Sequence, residues 1–594
     1  MSINKIRSLE SPAADRISSL PCHVLEKILG CLPLRDAIRT SVLSKRWSYK
    51  WVVRSELAFD KANVDGGLLK TITYQVLSIH QGPLRKFSFR VPNSDFLPDI
   101  GYWIRFLLKK NVQEFSLRFP HQTDFRLPSH LFKYQDLRHL ELCSCKFHPP
   151  PDFKAFSRLV TLNFRFVTFE PTSFQTFLSS SPLLERVALF SCSTFDSFIV
   201  DAPNLKSFEF TGETKSICFI NTPLLEEIIM GLFYVDISKS FAVPESQVTL
   251  QNIKQLNFTF FKLSQWATYT LHLISNCPNL ESLHFMFYEY IVSKDVVERF
   301  IHQLRSQGIP HSALKQLKRL HIKLNLFFEL EMEFVKNLIS KCPLLERLRL
   351  RWCTNFDTLE IDAANLKRFE FNVNSKSICF RNAPMLEKVA VCFNARVLTN
   401  PSPVCSNLTR FFYYMPVLQA LDLCGSVLEY LTMGGVPQSS PTALNNIKSL
   451  NISSMSLRNI EEVSGAVYLI ASCPKLQELT IECDPVDHIV EPVVQFLRAQ
   501  SISYGALKLQ RVHVSMYIGI EMEMEFMKFI LAFAPVLEEI FLWNFAYLLD
   551  RPGAQMVDEM KQFRRVSPNM EFIFEEVDVE DRVLREPEVV IEVQ

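Results

Sequence analysis

The sequence predicts an α/β solenoid, with a short helical module before it and a small module after it. Three observations support this fold class: apolar residues at helical spacing near the N-terminus, a leucine pattern that recurs along most of the chain, and a long internal duplication. At 594 residues the chain is too long for one compact core, so an array of repeats is expected.

The composition limits the kinds of function. The net charge is only +1, so we expect no general attraction to nucleic acid or to anionic membranes. No stretch approaches the roughly 18 apolar residues of a membrane span, and the start lacks the apolar core of a secretory signal. This predicts a soluble chain in the nucleus, the cytoplasm or both. The 15 cysteines follow no framework spacing and are expected to be reduced.

The helical module is predicted at residues 14–54, after a flexible segment at 1–13. Its first apolar stripe comprises Val24, Leu25, Ile28, Leu29 and Leu32, and its second comprises Leu34, Ala37, Ile38, Ser41 and Val42. Pro33 separates them, and Ser44 can cap a third short helix. Three helices in about 40 residues cannot cover all of their apolar surface on one another. We therefore expect another polypeptide to cover it.

The same residues resemble the F-box. The resemblance rests on Leu20-Pro21, Ile28-Leu29, Leu32-Pro33, Val42-Leu43-Ser44, Trp47 and Trp51. It implies a Skp-type adaptor as partner and, through that adaptor, a cullin-RING scaffold with a ubiquitin-conjugating enzyme. It also implies an adaptor-binding group, Leu20, Pro21, Ile28, Leu29, Leu32, Pro33 and Leu43, and an F-box core, Val24, Leu25, Trp47 and Trp51. The alternative is an ordinary helical bundle at the start of a larger domain.

The central part of the chain, residues 84–503, carries the repeated pattern L-x-x-L-x-L-x-x-C. Its clearest copies start at Leu137, Leu184 and Leu345. Alternating apolar residues mark a short strand, and a period of roughly 20 to 29 residues is typical of one solenoid turn. These units resemble irregular leucine-rich repeats, which implies a horseshoe of parallel strands.

The segments that connect the strands are predicted to differ along the solenoid. Helices are expected at 296–307, 334–341 and 526–534. Where the spacing shortens to about 20 residues, the pieces SFIV and SICF, and later TLEI and SICF, predict extended structure on the return path instead.

A larger duplication overlies the repeats. The segment that starts at Pro182 aligns without gaps to the one that starts at Pro343, and the copies extend over about 182–350 and 343–542. Duplicating a block of a solenoid lengthens its binding surface without disturbing the neighbouring turns. Residues 504–575 resemble the FBD module, which accompanies the F-box and leucine-rich repeats in one large plant family. Residues 576–594 are acidic and are predicted to be disordered.

No motif indicates catalysis, a metal or a cofactor. His139, Cys143, Cys145 and His148 have the composition of a zinc site, but the repeat places Cys145 inward and the residues before it outward, so four ligands are not expected to converge. The cysteines before a repeat, such as Cys277, Cys342 and Cys473, are predicted to be core residues. Neither a phosphate-binding glycine loop nor a serine nucleophile elbow is present.

One local charge pattern suggests a binding surface. The residues between the leucines are predicted to point to the concave side of the solenoid. In neighbouring strands they would form a basic patch on this inner face, comprising Arg319, His321, Lys323, Arg347, Arg349, Arg351 and Arg368. Such a patch could bind an acidic or phosphorylated peptide, or a small anion. The alternative is a solvated face whose charge is offset by nearby glutamates.

Taken with the family resemblance, these features predict a substrate-recognition subunit of a Skp-cullin-F-box ubiquitin ligase, without bond chemistry of its own. The alternative is a leucine-rich-repeat scaffold that engages the adaptor without promoting degradation. An enzyme hidden in the repeats is disfavoured, since no acid, base and nucleophile converge. The identity of the target cannot be predicted from one sequence.

Overall fold

The computed structural model of the chain divides into two compact units, Met1–Ile253 and Lys254–Gln594. The residues that it describes are 20–43, 45, 47–48, 50–59, 66–121, 123–193, 195–232, 250–260, 266–287, 311–323, 332–356, 359–375, 378–393, 407–433, 435, 441–484, 490–499, 507–516, 518–545, 553–568 and 570–577.

The first unit begins with two short helices and continues as alternating strands and helices. Its helices are α1 (Cys22–Cys31), α2 (Leu34–Arg39), α3 (Gly66–Ile79), α4 (Leu97–Leu107) and α5 (Pro171–Ser179). Its strands are β1 (Glu56–Phe59), β2 (Lys86–Arg90), β3 (Glu114–Arg118), β4 (His139–Cys143), β5 (Lys146–Phe147), β6 (Thr161–Arg165), β7 (Thr168–Phe169), β8 (Arg186–Phe190), β9 (Phe195–Asp201), β10 (Ser207–Gly212), β11 (Thr214–Ile220) and β12 (Glu227–Leu232).

The main sheet of this unit is parallel, with strand order β1-β2-β3-β4-β6-β8-β10-β12. The register places equivalent repeat residues side by side, so that Phe115, Leu140 and Leu162 form one buried row across three strands. The repeat pattern therefore folds as predicted: its apolar positions form the core, and the residues between them face outward.

Phenylalanine fills much of the space between the sheet and the return segments of this unit. The rings of Phe169 and Phe174 stack with their centroids 4.0 Å apart, and Phe164 and Phe177 lie within 6 Å of Phe174. A planar ring fills the wide gap left where a return segment is short, which suits a chain with 50 phenylalanines.

The second unit repeats the architecture. Its helices are α6 (Trp266–Ser275), α7 (His311–Leu314), α8 (Met332–Ser340), α9 (Asn407–Phe412), α10 (Gly425–Thr432), α11 (Ile460–Ser472), α12 (Glu491–Ala499), α13 (Glu521–Phe533) and α14 (Gly553–Met560). Its strands are β13 (Gln255–Phe260), β14 (Ser282–Phe287), β15 (Arg319–Lys323), β16 (Arg347–Phe356), β17 (Leu359–Asp362), β18 (Arg368–Ser375), β19 (Ile378–Asn382), β20 (Lys388–Phe393), β21 (Ala420–Cys424), β22 (Ser449–Met455), β23 (Glu478–Cys483), β24 (Arg511–Ser515), β25 (Glu539–Phe545) and β26 (Glu571–Val577).

The main sheet of the second unit is also parallel, with strand order β13-β14-β15-β16-β18-β20-β21-β22-β23-β24-β25-β26. The segment predicted as a separate C-terminal module supplies β24, β25 and β26, which continue the ladder of the repeats. It is structurally the last part of the solenoid sheet, and the resemblance to an FBD module is not confirmed by the architecture.

The predicted extended return segments are confirmed in both units. In the first unit β9 pairs in parallel with β11, and in the second β17 pairs with β19. The helices predicted at 334–341 and 526–534 are confirmed as α8 and α13, each beginning a few residues earlier. The helix predicted at 296–307 and the flexible segment 1–13 lie outside the described residues, as does nearly all of the acidic tail.

The third helix of the N-terminal module is not confirmed. Among the described residues after α2, the chain forms 3₁₀ turns at Thr40–Val42 and Lys50–Val53, and the proposed cap, Ser44, lies outside them. A 3₁₀ turn exposes more of its backbone than an α-helix and is common where a helix would have too few residues to propagate.

Candidate functional site

The N-terminal module is anchored by its aromatic and leucine residues. Trp47 and Trp51 are 2% and 4% exposed, and Leu25 is fully buried. All three belong to the predicted core of the module, whereas Val24 is half-buried. Burying two indole rings supplies most of the apolar area available to so small a unit.

The opposite side of the module leaves apolar side chains uncovered. Val42 is 87% exposed and Leu43 is 55% exposed, although both are branched aliphatic residues. Of the other residues predicted to bind an adaptor, Pro21 and Pro33 are exposed, and Leu20, Ile28 and Leu32 are half-buried. Leu29 differs from them, since it is 1% exposed and its side chain packs inside the module.

We call Leu20, Pro21, Ile28, Leu32, Pro33, Val42 and Leu43 the exposed apolar face. The sequence pattern had placed Val42 in the second helical stripe of a module expected to leave apolar surface for another polypeptide. It is the most exposed of the large apolar residues described, and it lies in the 3₁₀ turn Thr40–Val42 that follows the end of α2 at Arg39.

Arg54 fastens the module to the first repeat. Its guanidinium donates to the carbonyl oxygens of Leu32 at 3.1 Å and Gly30 at 3.5 Å, two of the carbonyls left unpaired at the end of α1. His80 in turn donates from Nε2 to the carbonyl oxygen of Arg54 at 2.8 Å. Burial lowers the pKa of His80, which keeps its ring neutral in this contact. The exposed apolar face is thus carried on a support tied to the repeat sheet.

The second candidate surface is a row of cations on the outer face of the second unit. The parallel register places Arg319, Arg347 and Arg368 side by side on β15, β16 and β18, followed by Lys388 on β20. We call these four residues the cation row. Neighbouring strands are about 4.8 Å apart, so these like charges repel one another unless an anion lies over them.

Within the part of the chain that the structure describes, only one member of the cation row is paired with a carboxylate. Lys388 pairs with Asp422 at 3.0 Å, and no carboxylate of the described residues lies within 4.0 Å of the guanidinium groups of Arg319, Arg347 or Arg368. Lys388 was not among the predicted residues, since its strand follows a short connection whose register the sequence did not fix. The three arginines are the part of the predicted patch that keeps its charge available.

Glu370 neutralises the middle of the predicted patch. Its carboxylate accepts from Arg349 Nε at 2.5 Å and also forms an ion pair with Arg351. Glu370 reaches both arginines because the register places Arg349 directly beside it. Arg351 lies two residues further along β16, on the same face of the sheet. The alternative that glutamates offset the patch therefore holds for these two arginines.

The two histidines beside these arginines carry no charge. The rings of His284 and His321 meet edge to face at 5.4 Å, and His284 shares a hydrogen bond with Ser282 at 3.1 Å. Burial, with further lowering by neighbouring positive groups, brings the pKa of His321 to about 3 and that of His284 to about 4. His321 therefore contributes a polar surface rather than positive charge to the patch; Lys323, on the same strand, is half-buried.

The four residues with zinc-like composition do not form one cluster. His139 is exposed at the start of β4 and Cys143 is half-buried at its end, whereas Cys145 is buried in the core and His148 follows β5. Across the described residues no group of three or more histidine, cysteine or acidic side chains is arranged to hold a metal ion. The same part of the chain contains no helix long and apolar enough to cross a bilayer.

Comparison with known families assigns a class to both parts of the chain. Residues 17–52 match the F-box domain, and residues 100–238 match the leucine-rich repeats of the FBD-associated F-box protein At5g56370. The chain therefore contains a segment similar to F-box domains, followed by repeats similar to the leucine-rich repeats of an F-box protein.

Two curated plant proteins are similar to part of this chain. F-box/FBD/LRR-repeat protein At1g13570 of Arabidopsis thaliana is 40% identical over 235 residues, which cover 38% of this chain and 55% of the relative. FBD-associated F-box protein At5g56370 of the same plant is 32% identical over 226 residues, covering 36% and 53%. The resemblance to the plant F-box/FBD/LRR-repeat family is confirmed. The chain spans about half the length of these curated relatives.

Proposed function

We propose that this protein is the substrate-recognition subunit of a Skp-cullin-F-box ubiquitin ligase. The exposed apolar face binds a Skp-type adaptor, and the outer face of the repeat sheet holds a target protein near the conjugating enzyme. The chain itself makes and breaks no bond. Tethering the target and the ubiquitin-carrying conjugating enzyme to one scaffold raises their effective concentration. This is sufficient to accelerate the transfer of ubiquitin to the target.

The observation that carries this proposal is the exposure of Val42 and Leu43. Two neighbouring aliphatic side chains with most of their surface in water are costly, at roughly 25 cal/mol per Å² of apolar area, and the same module also exposes Pro21 and Pro33. Scattered single apolar residues are ordinary on protein surfaces, whereas a contiguous group on a small module favours a protein partner. The match of residues 17–52 to the F-box domain supports a Skp-type adaptor as that partner.

For the target, we propose an acidic or phosphorylated segment that lies across the cation row. Arg319, Arg347 and Arg368 project from three adjacent strands, so a chain that crosses the strands can meet each guanidinium in turn. Guanidinium groups form paired hydrogen bonds with carboxylate and phosphate oxygens, and such charge-assisted bonds are stronger than neutral ones. The equivalent row in the second copy of the internal duplication contains Arg511, Glu539 and Glu571, so it lacks the run of three arginines.

The alternative function is a leucine-rich-repeat scaffold that engages the adaptor without delivering a target for degradation. Recovery of the adaptor would not separate the two functions, since both require it. Recovery of a cullin with the intact chain, and accumulation of captured proteins when the chain is lost, are expected only for a ligase subunit.

The discriminating experiment is proximity labelling in plant cells with the intact chain and with a Leu20→Ala, Pro21→Ala, Leu32→Ala variant. The variant should still label proteins held by the repeats but should no longer label cullin. Proteins whose abundance rises with the variant are the substrates. Cullin labelling that is equal for both chains would contradict the proposed role of the exposed apolar face.

A further inference from the structure

Two thiols lie side by side on the outer face of the second unit. Cys392 is on β20, and Cys424 is the last residue of β21. The register pairs Val391 with Leu423, so the two cysteines form the next pair along the same ladder. Neighbouring strands are about 4.8 Å apart, which is within the Cα separation that a disulfide tolerates. The two thiols are therefore neighbours on the same face of the sheet.

The surroundings of Cys424 favour its thiolate. The backbone N–H of Phe393 donates to Cys424 Sγ at 3.2 Å. The Ser426 hydroxyl lies 3.1 Å from the same sulfur and donates to the carbonyl oxygen of Phe393 at 2.7 Å. Cys424 also precedes the first residue of α10, where unpaired N–H groups favour negative charge. The neighbouring Cys392 thiol and the backbone N–H of Phe393 lower the pKa of the Cys424 thiol, while burial opposes them.

No unpaired charge on the neighbouring strand positions disfavours the thiolate of Cys424. Asp422, two residues before Cys424 on the same face, is paired with Lys388 at 3.0 Å. The adjacent outward positions on the flanking strands are Asn372 and Ser453, which are uncharged. The thiolate is therefore not placed against an unpaired carboxylate of these strands.

Other cysteines of the chain have the opposite environment. Cys277, Cys342 and Cys473 are at most 3% exposed, and burial raises the pKa of each thiol to about 12. They occupy the predicted core position before a repeat. Cys424 is equally buried, at 2% exposed, but the Cys392 thiol beside it is half-buried, which leaves one side of the pair partly open to solvent.

We propose that Cys392 and Cys424 form a dithiol site that reacts with hydrogen peroxide or another small hydroperoxide. The Cys424 thiolate attacks one peroxide oxygen, the O–O bond breaks, and hydroxide leaves, which gives a sulfenic acid on Cys424. Cys392 then attacks that sulfur, the S–O bond breaks, and a disulfide forms. Both cysteines are oxidised by two electrons in total, and hydrogen peroxide is reduced to one water and one hydroxide.

The disulfide would change the local structure in two ways. It would tie β20 covalently to β21, and it would replace the anionic acceptor of the Phe393 N–H by a neutral sulfur. A thiolate next to a second thiol is the arrangement that resolves a sulfenic acid quickly and so protects it from further oxidation. This inference is independent of the proposed ligase function, since it requires neither the adaptor nor a target.

The test uses the full chain, reduced and then exposed to increasing hydrogen peroxide before free thiols are blocked and peptides are analysed by mass spectrometry. We expect a Cys392–Cys424 disulfide with loss of both free thiols at peroxide doses that leave Cys143 unmodified. Cys143 is the control, because it is also half-buried at the end of a strand, but the residues paired with it on the adjacent strands are Arg118 and Arg165 and not a cysteine.

Two variants separate the roles of the thiols. Cys392→Ser should give no disulfide and should accumulate sulfenic acid on Cys424, detected with a dimedone-type probe. Cys424→Ser should abolish oxidation of Cys392 at the same dose. The natural chain alone also decides the question: oxidation of Cys143 before Cys392 and Cys424, or their conversion to sulfinic acids without a disulfide, would overturn the proposal.

Discussion

Arg54 donates a hydrogen bond from its guanidinium to the carbonyl oxygen of Leu32, 3.1 Å away and 22 residues earlier in the chain. This bond joins the end of α1 to the last residue of the N-terminal module, whose own carbonyl oxygen accepts from His80 at 2.8 Å. We predict that Arg54→Ala frees the end of α1 and lowers its local stability by about 1 to 3 kcal/mol, since partly buried carbonyls lose a charged donor. Hydrogen exchange of peptides covering α1 measures this directly.

Arg54→Lys serves as the matched control. A lysine keeps the charge but cannot donate to two carbonyls through one planar group, so we expect an intermediate increase in exchange. Exchange in α1 that is unchanged in both variants would show that the Arg54 bond does not hold the module.

Glu523 should make stability depend on pH. Its carboxylate accepts from the N–H groups of Ile518, Gly519 and Ile520 at 2.6 to 3.2 Å, yet burial raises its pKa to about 7. The folded chain therefore retains a proton that the unfolded chain, with a pKa near 4.3, releases at lower pH. The stabilisation linked to this proton is complete below about pH 4 and is lost as the pH rises through about 7.

Glu523→Gln removes the ionisation and keeps an oxygen acceptor. We expect its melting temperature, relative to that of the natural chain, to rise between about pH 5 and about pH 8. Glu523→Ala should instead destabilise α13 at every pH, because three N–H groups lose their acceptor. A Glu523→Gln difference that is constant with pH would contradict the raised pKa.

Charge reversal of the cation row tests target capture. With Arg319→Glu, Arg347→Glu and Arg368→Glu combined, we expect binding of a phosphoserine-rich peptide to weaken at least about tenfold, since one charge-assisted hydrogen bond contributes about 1.5 kcal/mol or more. Fluorescence anisotropy at low salt is the measurement. Arg511→Glu is the control, because Arg511 holds the same position of its strand but pairs with Glu478. Equal loss in the control, or no loss in the triple variant, would remove the row from target binding.

Removing Glu370 should have the opposite effect. Glu370→Gln releases Arg349 and Arg351, so the same peptide should bind more tightly and its affinity should fall more steeply with salt. The matched change is Glu141→Gln, which releases Arg118 from a 3.0 Å ion pair in the first unit and should leave peptide affinity unchanged. A Glu370→Gln chain with unaltered affinity would show that these two arginines do not face the peptide.

The repeat architecture could be predicted because each signal was local. Leu140 and Leu142 alternate with outward residues on β4, and the spacing to the next copy fixes which strands are neighbours. The short return segments were equally visible, since a strand-like piece such as 359–362 has too few residues before the next repeat for a helix. Both features depend on residues close together in the chain.

The sequence could not predict which arginines of the patch are neutralised, or that two thiols are neighbours, because both depend on the register between strands. Glu370 lies beside Arg349 only because β16 and β18 align without a shift at that point, and Cys392 and Cys424 are 32 residues apart in the chain. The exposure of Val42 depended on where α2 stops, which the pattern of apolar residues did not fix. Sequence periodicity assigns faces, but it does not assign partners across strands.

The most direct test of the central claim is the affinity of the purified chain for a purified Skp-type adaptor, measured by isothermal titration calorimetry. We predict that the natural chain binds and that Val42→Glu with Leu43→Glu abolishes binding, because two charges would be buried in an apolar interface. Leu183→Glu, at a leucine that is 48% exposed in the repeats, should bind like the natural chain. Equal affinity of the Val42→Glu, Leu43→Glu chain and the natural chain, or no binding by the natural chain, would contradict the account.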